Sequence, residues 1–233
     1  VTVIKLVSFD VWNTLLDINV MLRALGEELS GLMGRDVGEE IALARARIKD
    51  IRASGRGDPS RALEESQRIL ANLLGTEVES VRRAAARAVL KAGGEMVLPG
   101  ARETLKAIRE RDLRIVVTGN VMFWPGSYTR LLLERFGLMR YVDGAFFADE
   151  VLAYKPMPEM FRKPLDAFGV KPGEAVHVGD TYEEDFTGAL KTGMWAVWIN
   201  PRAKKVRRIH ERGFEVPEVG SILEVLEVLG ERG

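Results

Sequence analysis

The sequence predicts an α/β protein: a Rossmann-like parallel sheet core domain with an inserted helical-bundle cap domain. Three observations carry this. A short apolar run, Ile4 to Phe9, delivers an aspartate, Asp10, at its C-terminal end. From Ile18 to about Gly94 the hydrophobic period is helical and no strand pattern occurs. From Pro99 onward, apolar runs alternate with amphipathic segments, which is the signature of a parallel sheet with crossover helices.

In chain order, the first strand ends at Asp10 and turns at once through Trp12-Asn13-Thr14. Four amphipathic helices follow, over Val20 to Met33, Val37 to Ser54, Ser60 to Leu74 and Val78 to Ala92. Gly34, the Gly55-Arg56-Gly57-Asp58-Pro59 loop and Gly75 separate them, and Ser60 is the expected cap of the third. The later elements are helix 101–111, strand 114–118, helix 127–136, strand 144–148, helix 158–168, strand 175–179, helix 183–191 and strand 194–199. Continuous apolar runs such as Ile115-Val116-Val117 suit strands covered on both faces. The expected division is a core of residues 1–17 and 97–233 with a helical cap of 18–96, hinged at Asp17 to Asn19 and at Leu98-Pro99-Gly100.

At 233 residues and 46% hydrophobic content the chain can bury one large core and a smaller insertion. Lys plus Arg equals Asp plus Glu at 34 each, so no net field draws the whole protein to nucleic acid or to an anionic membrane. The basic run Lys204-Lys205-Val206-Arg207-Arg208 is expected to be an exposed helix face. The absence of cysteine excludes disulfides, thiolate metal sites and a cysteine nucleophile, and fits a cytoplasmic location. The first apolar run is too short for a membrane span and lacks a signal-peptide pattern. His177 and His210 are too separated to form a histidine metal site.

The strand ends carry the chemistry. In open α/β sheets the crevice beyond the carboxyl ends of the strands receives the ligand. Asp10 ends the first strand, Thr118 the second with Asn120 just behind, and Lys155 follows the third by a short loop. Gly179-Asp180 and the acidic Glu183-Glu184-Asp185 follow the fourth. A carboxylate, a hydroxyl, an ammonium and an acidic cluster thus converge on one crevice. Singly, each has an ordinary structural reading, from turn cap to solvated helix start.

In order, Asp10-Val11-Trp12-Asn13-Thr14, Thr118, Lys155-Pro156 and Gly179-Asp180 with Asp185 resemble the four motifs of the haloacid dehalogenase superfamily of hydrolases. Val97-Leu98-Pro99-Gly100-Ala101 resembles that family's return into the core after an all-helical cap. The resemblance implies that Asp10 attacks phosphorus and forms an aspartyl-phosphate that water hydrolyses. It implies Mg²⁺ held by Asp10, the Trp12 carbonyl and Asp180, with Asp185 reaching the metal or a metal-bound water. Lys155 would keep Asp10 ionised and neutralise the transferring oxygens, and Thr118 would donate a hydrogen bond to phosphate, with Asn120 and Lys155 also in the substrate site. The implied substrate is a small phosphorylated metabolite.

One departure from the family matters. Its phosphatases carry a second Asp two residues after the nucleophile, as general acid and base, and Trp12 stands there. An indole does neither job. Family dehalogenases are also aromatic at this position, so 2-haloacid dehalogenation is one alternative, opposed by the Gly-Asp metal signature. A catalytically weakened phosphate-binding protein is another. Phe123-Trp124-Pro125 is read as an aromatic loop packed under the cap, and Arg52, Arg56 and Arg61 surround the cap's widest loop as candidates to meet the substrate. Oligomeric state is not legible.

Overall fold

The computed structural model describes residues 3–230, so residues 1–2 and 231–233 of the expected core lie outside the described residues. Strand β1 (Leu6–Phe9) is wholly buried and lies between two parallel neighbours, β2 (Arg114–Gly119) and β4 (Ala175–Gly179). With β3 (Gly144–Phe147), β5 (Trp195–Ile199), β6 (Arg207–His210) and β7 (Gly213–Val216) the sheet order is β3-β2-β1-β4-β5-β7-β6. All pairings are parallel except β6 with β7. The chain departs from β1 to one side and later places β4 on the other. The carboxyl ends of β1 and β4 therefore flank a topological switch point, where helices on opposite faces diverge and leave an opening.

Between β1 and helix α5 (Ala101–Arg109) lie the four expected helices: α1 (Ile18–Met33), α2 (Gly38–Ala53), α3 (Ala62–Leu74) and α4 (Val78–Lys91). They pack on one another, α1 against α4 and α3 against both α2 and α4. Gly34 (φ 66°) and Gly75 (φ 67°) end α1 and α3 in the left-handed conformation that spares glycine any Cβ clash. The two connections to the sheet run side by side, with Asp17 N–H donating to the Met96 carbonyl at 2.7 Å and Leu98 N–H to the Leu15 carbonyl at 3.0 Å. The side-chain cap ahead of the third helix lies two residues earlier than expected. Asp58, not Ser60, accepts the Ser60 N–H at 3.0 Å and opens a 3-10 turn ahead of α3.

The remaining helices are α6 (Gly126–Arg135), α7 (Ala148–Val151), α8 (Pro158–Phe168), α9 (Gly188–Lys191) and α10 (Ile222–Gly230). The expected helix 183–191 is two pieces, a π-helical turn Tyr182–Thr187 followed by α9. The basic run 204–208 is no helix face. It leads into edge strand β6, where the Arg207 guanidinium meets the Glu215 carboxylate at 2.6 Å. Strands β6 and β7 and helix α10 have no counterpart in the sequence reading. The Arg-Arg-Ile-His run of β6 has too little apolar content to mark a strand, and only pairing with β7 makes it one. Trp195 and Trp198 are half-buried, each with its indole N–H donating to a main-chain carbonyl, Gly173 and Asp180 respectively. No helix among the described residues is long and apolar enough to cross a membrane.

Candidate active site

Asp10 follows β1 directly and its N–H donates to the Val178 carbonyl of β4 at 2.8 Å, which seats the residue over the switch point. The turn behind it requires a left-handed residue, and Asn13 supplies φ 60°. The same turn brings the Thr14 hydroxyl to Asp10 Oδ2 at 3.4 Å. Lys155 is buried, and its ammonium donates to Asp10 Oδ1 at 2.5 Å, to Asp185 Oδ1 at 2.6 Å and to the Thr118 carbonyl at 3.2 Å. Three acceptors satisfy all three of its protons. Burial disfavours that charge, yet Asp10 and Asp185 outweigh it and hold the lysine above its ordinary pKa.

At the end of β4, Gly179 makes the site possible. A Cβ there would fall 2.2 Å from the Asp185 carboxyl carbon. Asp185 Oδ2 accepts the Thr181 N–H at 3.0 Å, and Oδ1 accepts Lys155 and lies 3.2 Å from His177 Nε2. His177 is fully buried and its pKa is lowered, chiefly by burial. An ionised carboxylate only accepts, so the neutral ring donates through Nε2 and accepts the Ser8 hydroxyl at Nδ1, 2.9 Å away. This network keeps Asp185 well below the usual carboxylate range despite burial, through Lys155 and His177. Asp10 goes the other way: burial, with repulsion from Asp185 and Asp180, pushes it well above its ordinary value against the pull of Lys155. Asp180 is raised as well, by burial and then by Asp185.

The carboxylates of Asp10, Asp180 and Asp185 offer oxygens that lie within 4.8 Å of one another. One ammonium serves three crowded carboxylates, and two of them are pushed toward protonation. A hard divalent cation would reverse that push, and carboxylate oxygen is the donor that Mg²⁺ takes. The residues present therefore fit Mg²⁺. Asp10 and Asp180 keep free lone pairs for it. Asp185 is the most committed of the three, with only one lone pair of Oδ2 unused.

On the β2 side the structure differs from expectation. The Thr118 hydroxyl is fully buried, 3.5 Å from the Ser8 hydroxyl, and does not line the cleft; what Thr118 brings to the site is its carbonyl, which holds Lys155. Asn120 does line the cleft, but its amide spans the Lys155 loop and the acidic cluster. Its Oδ1 accepts the Lys155 N–H at 2.7 Å, and its Nδ2 donates to the Lys155 carbonyl at 3.1 Å and to Glu184 Oε2 at 3.0 Å. Asn120 thus positions Lys155 and Glu184. Burial raises the pKa of Glu184, with Arg52 opposing.

The cleft has a volume of about 610 Å³ including its mouth, and one wall is aromatic. The Trp12 and Trp124 rings meet edge to face at 5.3 Å, and Met122 and Ile18 extend the apolar surface. Phe123 and Trp124 are both buried, as read, and Trp124 also borders the cleft. Helix α2 adds Arg45, Lys49 and Arg52 to the lining. Arg52 is buried, bonds the Val121 carbonyl and lies 5.8 Å from the Tyr154 ring centroid. Arg56 and Arg61 are exposed and pair with Asp50 and Glu64, away from the cleft. Arg45, Lys49, Thr14 and His177 escaped the sequence reading as site residues. The i, i+4, i+7 spacing of Arg45, Lys49 and Arg52 is legible, but which face of α2 meets the sheet is a tertiary fact.

A family model described as haloacid dehalogenase-like hydrolase matches residues 4–193. The chain is 35% identical over 105 residues to ribulose-1,5-bisphosphate 5-phosphatase of Halopiger xanaduensis, a match that covers 45% of this chain and 43% of that relative's length. Among solved structures it resembles a HAD phosphatase from Thermococcus onnurineus (28% identity, TM-score 0.65, 97% of this chain and 98% of that one). It also resembles a 2-haloacid dehalogenase from Pseudomonas syringae (26% identity, TM-score 0.68, 97% and 99%).

Proposed function

The chain belongs to the haloacid dehalogenase-like hydrolase family, and on that premise we propose that it is a Mg²⁺-dependent phosphohydrolase acting on a small phosphorylated metabolite. The observation that carries the reading is Asp10 at the switch point, bonded to a buried lysine and within reach of two further carboxylates. A phosphatase relative and a phosphatase structural neighbour support it. The cytoplasmic location expected from the cysteine-free composition belongs to the same proposal.

Asp10 is the nucleophile. As its carboxylate oxygen bonds to phosphorus, the ester oxygen leaves; water then attacks the phosphorus of the aspartyl-phosphate, releasing phosphate and restoring Asp10. Lys155 favours the ionised nucleophile against the upward push of burial and supplies positive charge beside the transferring oxygens. Asp185 holds the ammonium of Lys155 and Asn120 holds its main chain. Asp10, Asp180, the Trp12 carbonyl and, directly or through water, Asp185 would hold Mg²⁺, which supplies screening between anionic phosphate and anionic nucleophile. Trp12 borders the cleft where an acid would stand, so protonation of the leaving oxygen falls to water or to Glu184.

Trp12 and the dehalogenase neighbour favour one second reading, displacement of halide from a 2-haloacid by the same Asp10. Halide leaves without a proton. A panel of phosphate esters and 2-haloacids, assayed with Mg²⁺ and with a chelator, separates the two. Chelator-sensitive release of phosphate is the expected result; metal-independent release of halide without phosphatase activity would replace this proposal with the second reading. Absence of both activities, with phosphate still bound, would assign a binding role.

A further inference from the structure

Helix α2 turns one face toward the cleft. Arg45, Lys49 and Arg52 sit at i, i+4 and i+7 and all three line the same cavity as Asp10 and Asp180. The three cations are not equivalent. Arg52 is used by the fold, through its bond to the Val121 carbonyl and its proximity to Tyr154 and Glu184. Arg45 and Lys49 make no salt bridge within 4.0 Å among the described residues. Arg45 Nε is buried and has no hydrogen-bond partner at all, the one such side-chain atom among the described residues. A buried guanidinium N–H without an acceptor costs free energy unless a ligand completes it.

The cavity is therefore polarised. Acidic groups gather at the sheet edge, unpartnered cations stand on α2, and the apolar surface of Trp12, Trp124 and Met122 borders the same space. Resting on the phosphohydrolase reading, we infer that Arg45 and Lys49 form a distal anion subsite, so that the preferred substrate carries a second anionic group, carboxylate or phosphate, on the carbon skeleton away from the phosphoryl group transferred. Arg45 accepts such a group in the planar, forked manner that guanidinium favours, and Lys49 adds a mobile charge at the mouth. The aromatic wall packs against the skeleton between the two ends. Specificity then arises because a neutral-tailed ester leaves the buried Arg45 Nε without its acceptor.

The test is binding in the presence of Mg²⁺, read by calorimetry, with three non-hydrolysable probes: propylphosphonate, 3-phosphonopropionate and propane-1,3-bisphosphonate. Charge-assisted hydrogen bonds to a completed guanidinium predict that the wild type binds one or both doubly anionic probes about tenfold or more tightly than propylphosphonate. Comparison of the carboxylate and phosphonate tails identifies which anion is preferred. In the Arg45→Gln/Lys49→Gln variant the preference is expected to collapse to within about twofold, while circular dichroism and Tm report an intact fold. A wild-type ratio near one overturns the inference. So does a ratio preserved in the variant, or an equal loss for all three probes, which would assign these cations to the transferring phosphoryl group. Hydrolysis of the matching phosphate esters is read separately. No turnover with the ratio intact sinks the phosphohydrolase reading and leaves the subsite standing; turnover with a ratio of one does the reverse.

Discussion

Lys155→Met is the most informative single change, because it keeps the four-atom stem of the side chain and removes the terminal ammonium with its charge and three hydrogen bonds. The ammonium is buried between two carboxylates at 2.5 and 2.6 Å, and its loss leaves Asp10 and Asp185 facing each other in a water-poor site beside Asp180. Breaking a buried pair by deleting one partner costs about 3–5 kcal/mol, since the remaining charge is uncompensated. For a chain of this length that is a fall in Tm of roughly 10 °C. The cost depends on pH with a definite sign. Without Lys155 the folded-state pKa of Asp10, already above the unfolded value of about 3.9, rises further, and that of Asp185 loses its main downward pull and rises too, so the folded state holds protons that the unfolded state releases. The variant's deficit relative to wild type is already open at pH 4, because wild-type Asp185 stays ionised there through its depressed pKa, and it grows further as pH rises through the raised folded-state pKa values of the variant. The assay is urea unfolding of wild type and variant at pH 4, 5.5 and 7, each with chelator and with Mg²⁺. Mg²⁺ should recover part of the deficit at pH 7, because a cation at the carboxylates substitutes for the lost ammonium. A deficit below about 1 kcal/mol at pH 7, or one that does not change with pH, would refute the picture of Lys155 as the charge that holds this cluster together.

Asp10→Asn should lower turnover by a factor on the order of 10⁴ or more while stability without metal is kept or improved, because one of three crowded carboxylates is neutralised; near-normal turnover would remove Asp10 as nucleophile. Gly179→Ala places a methyl against the Asp185 carboxyl carbon and should cost about 1–3 kcal/mol and weaken Mg²⁺ binding, read by thermal unfolding and calorimetry. Unchanged values would mean that Asp185 is free to move. Trp12→Asp should raise kcat for alkyl phosphates by about 10²-fold with little gain for activated aryl phosphates, since only the former need a proton in the transition state. A wild-type rate that is independent of leaving-group pKa would show that another group, first Glu184, already supplies the proton.

Much of the core was readable from local pattern alone. The apolar run ending in Asp10, the strand ends at Thr118 and Gly179 and the four helices between β1 and α5 follow from hydrophobic period and glycine breaks, which depend on neighbours a few residues apart. Asp10, Lys155, Asp180 and Asp185 were legible for the same reason: each stands at or just beyond the end of a recognisable strand, and parallel strands bring their ends to one edge. Other features depended on contacts between residues far apart in sequence. Thr118 illustrates this, since its position on β2 was plain but the direction of its hydroxyl, toward Ser8, is set by packing with β1. Edge strand β6 exists only through its pairing with β7, and a run of Arg, Arg, Ile and His carries no period that would announce it. His177 lies on a recognisable strand, but the partners of its two ring nitrogens, Ser8 and Asp185, come from other elements. Arg45 and Lys49 are two of many charged residues on α2, and nothing local distinguishes them from Arg47. What separates them is how α2 sits over the sheet, because the face that a helix buries is chosen by the surface it meets.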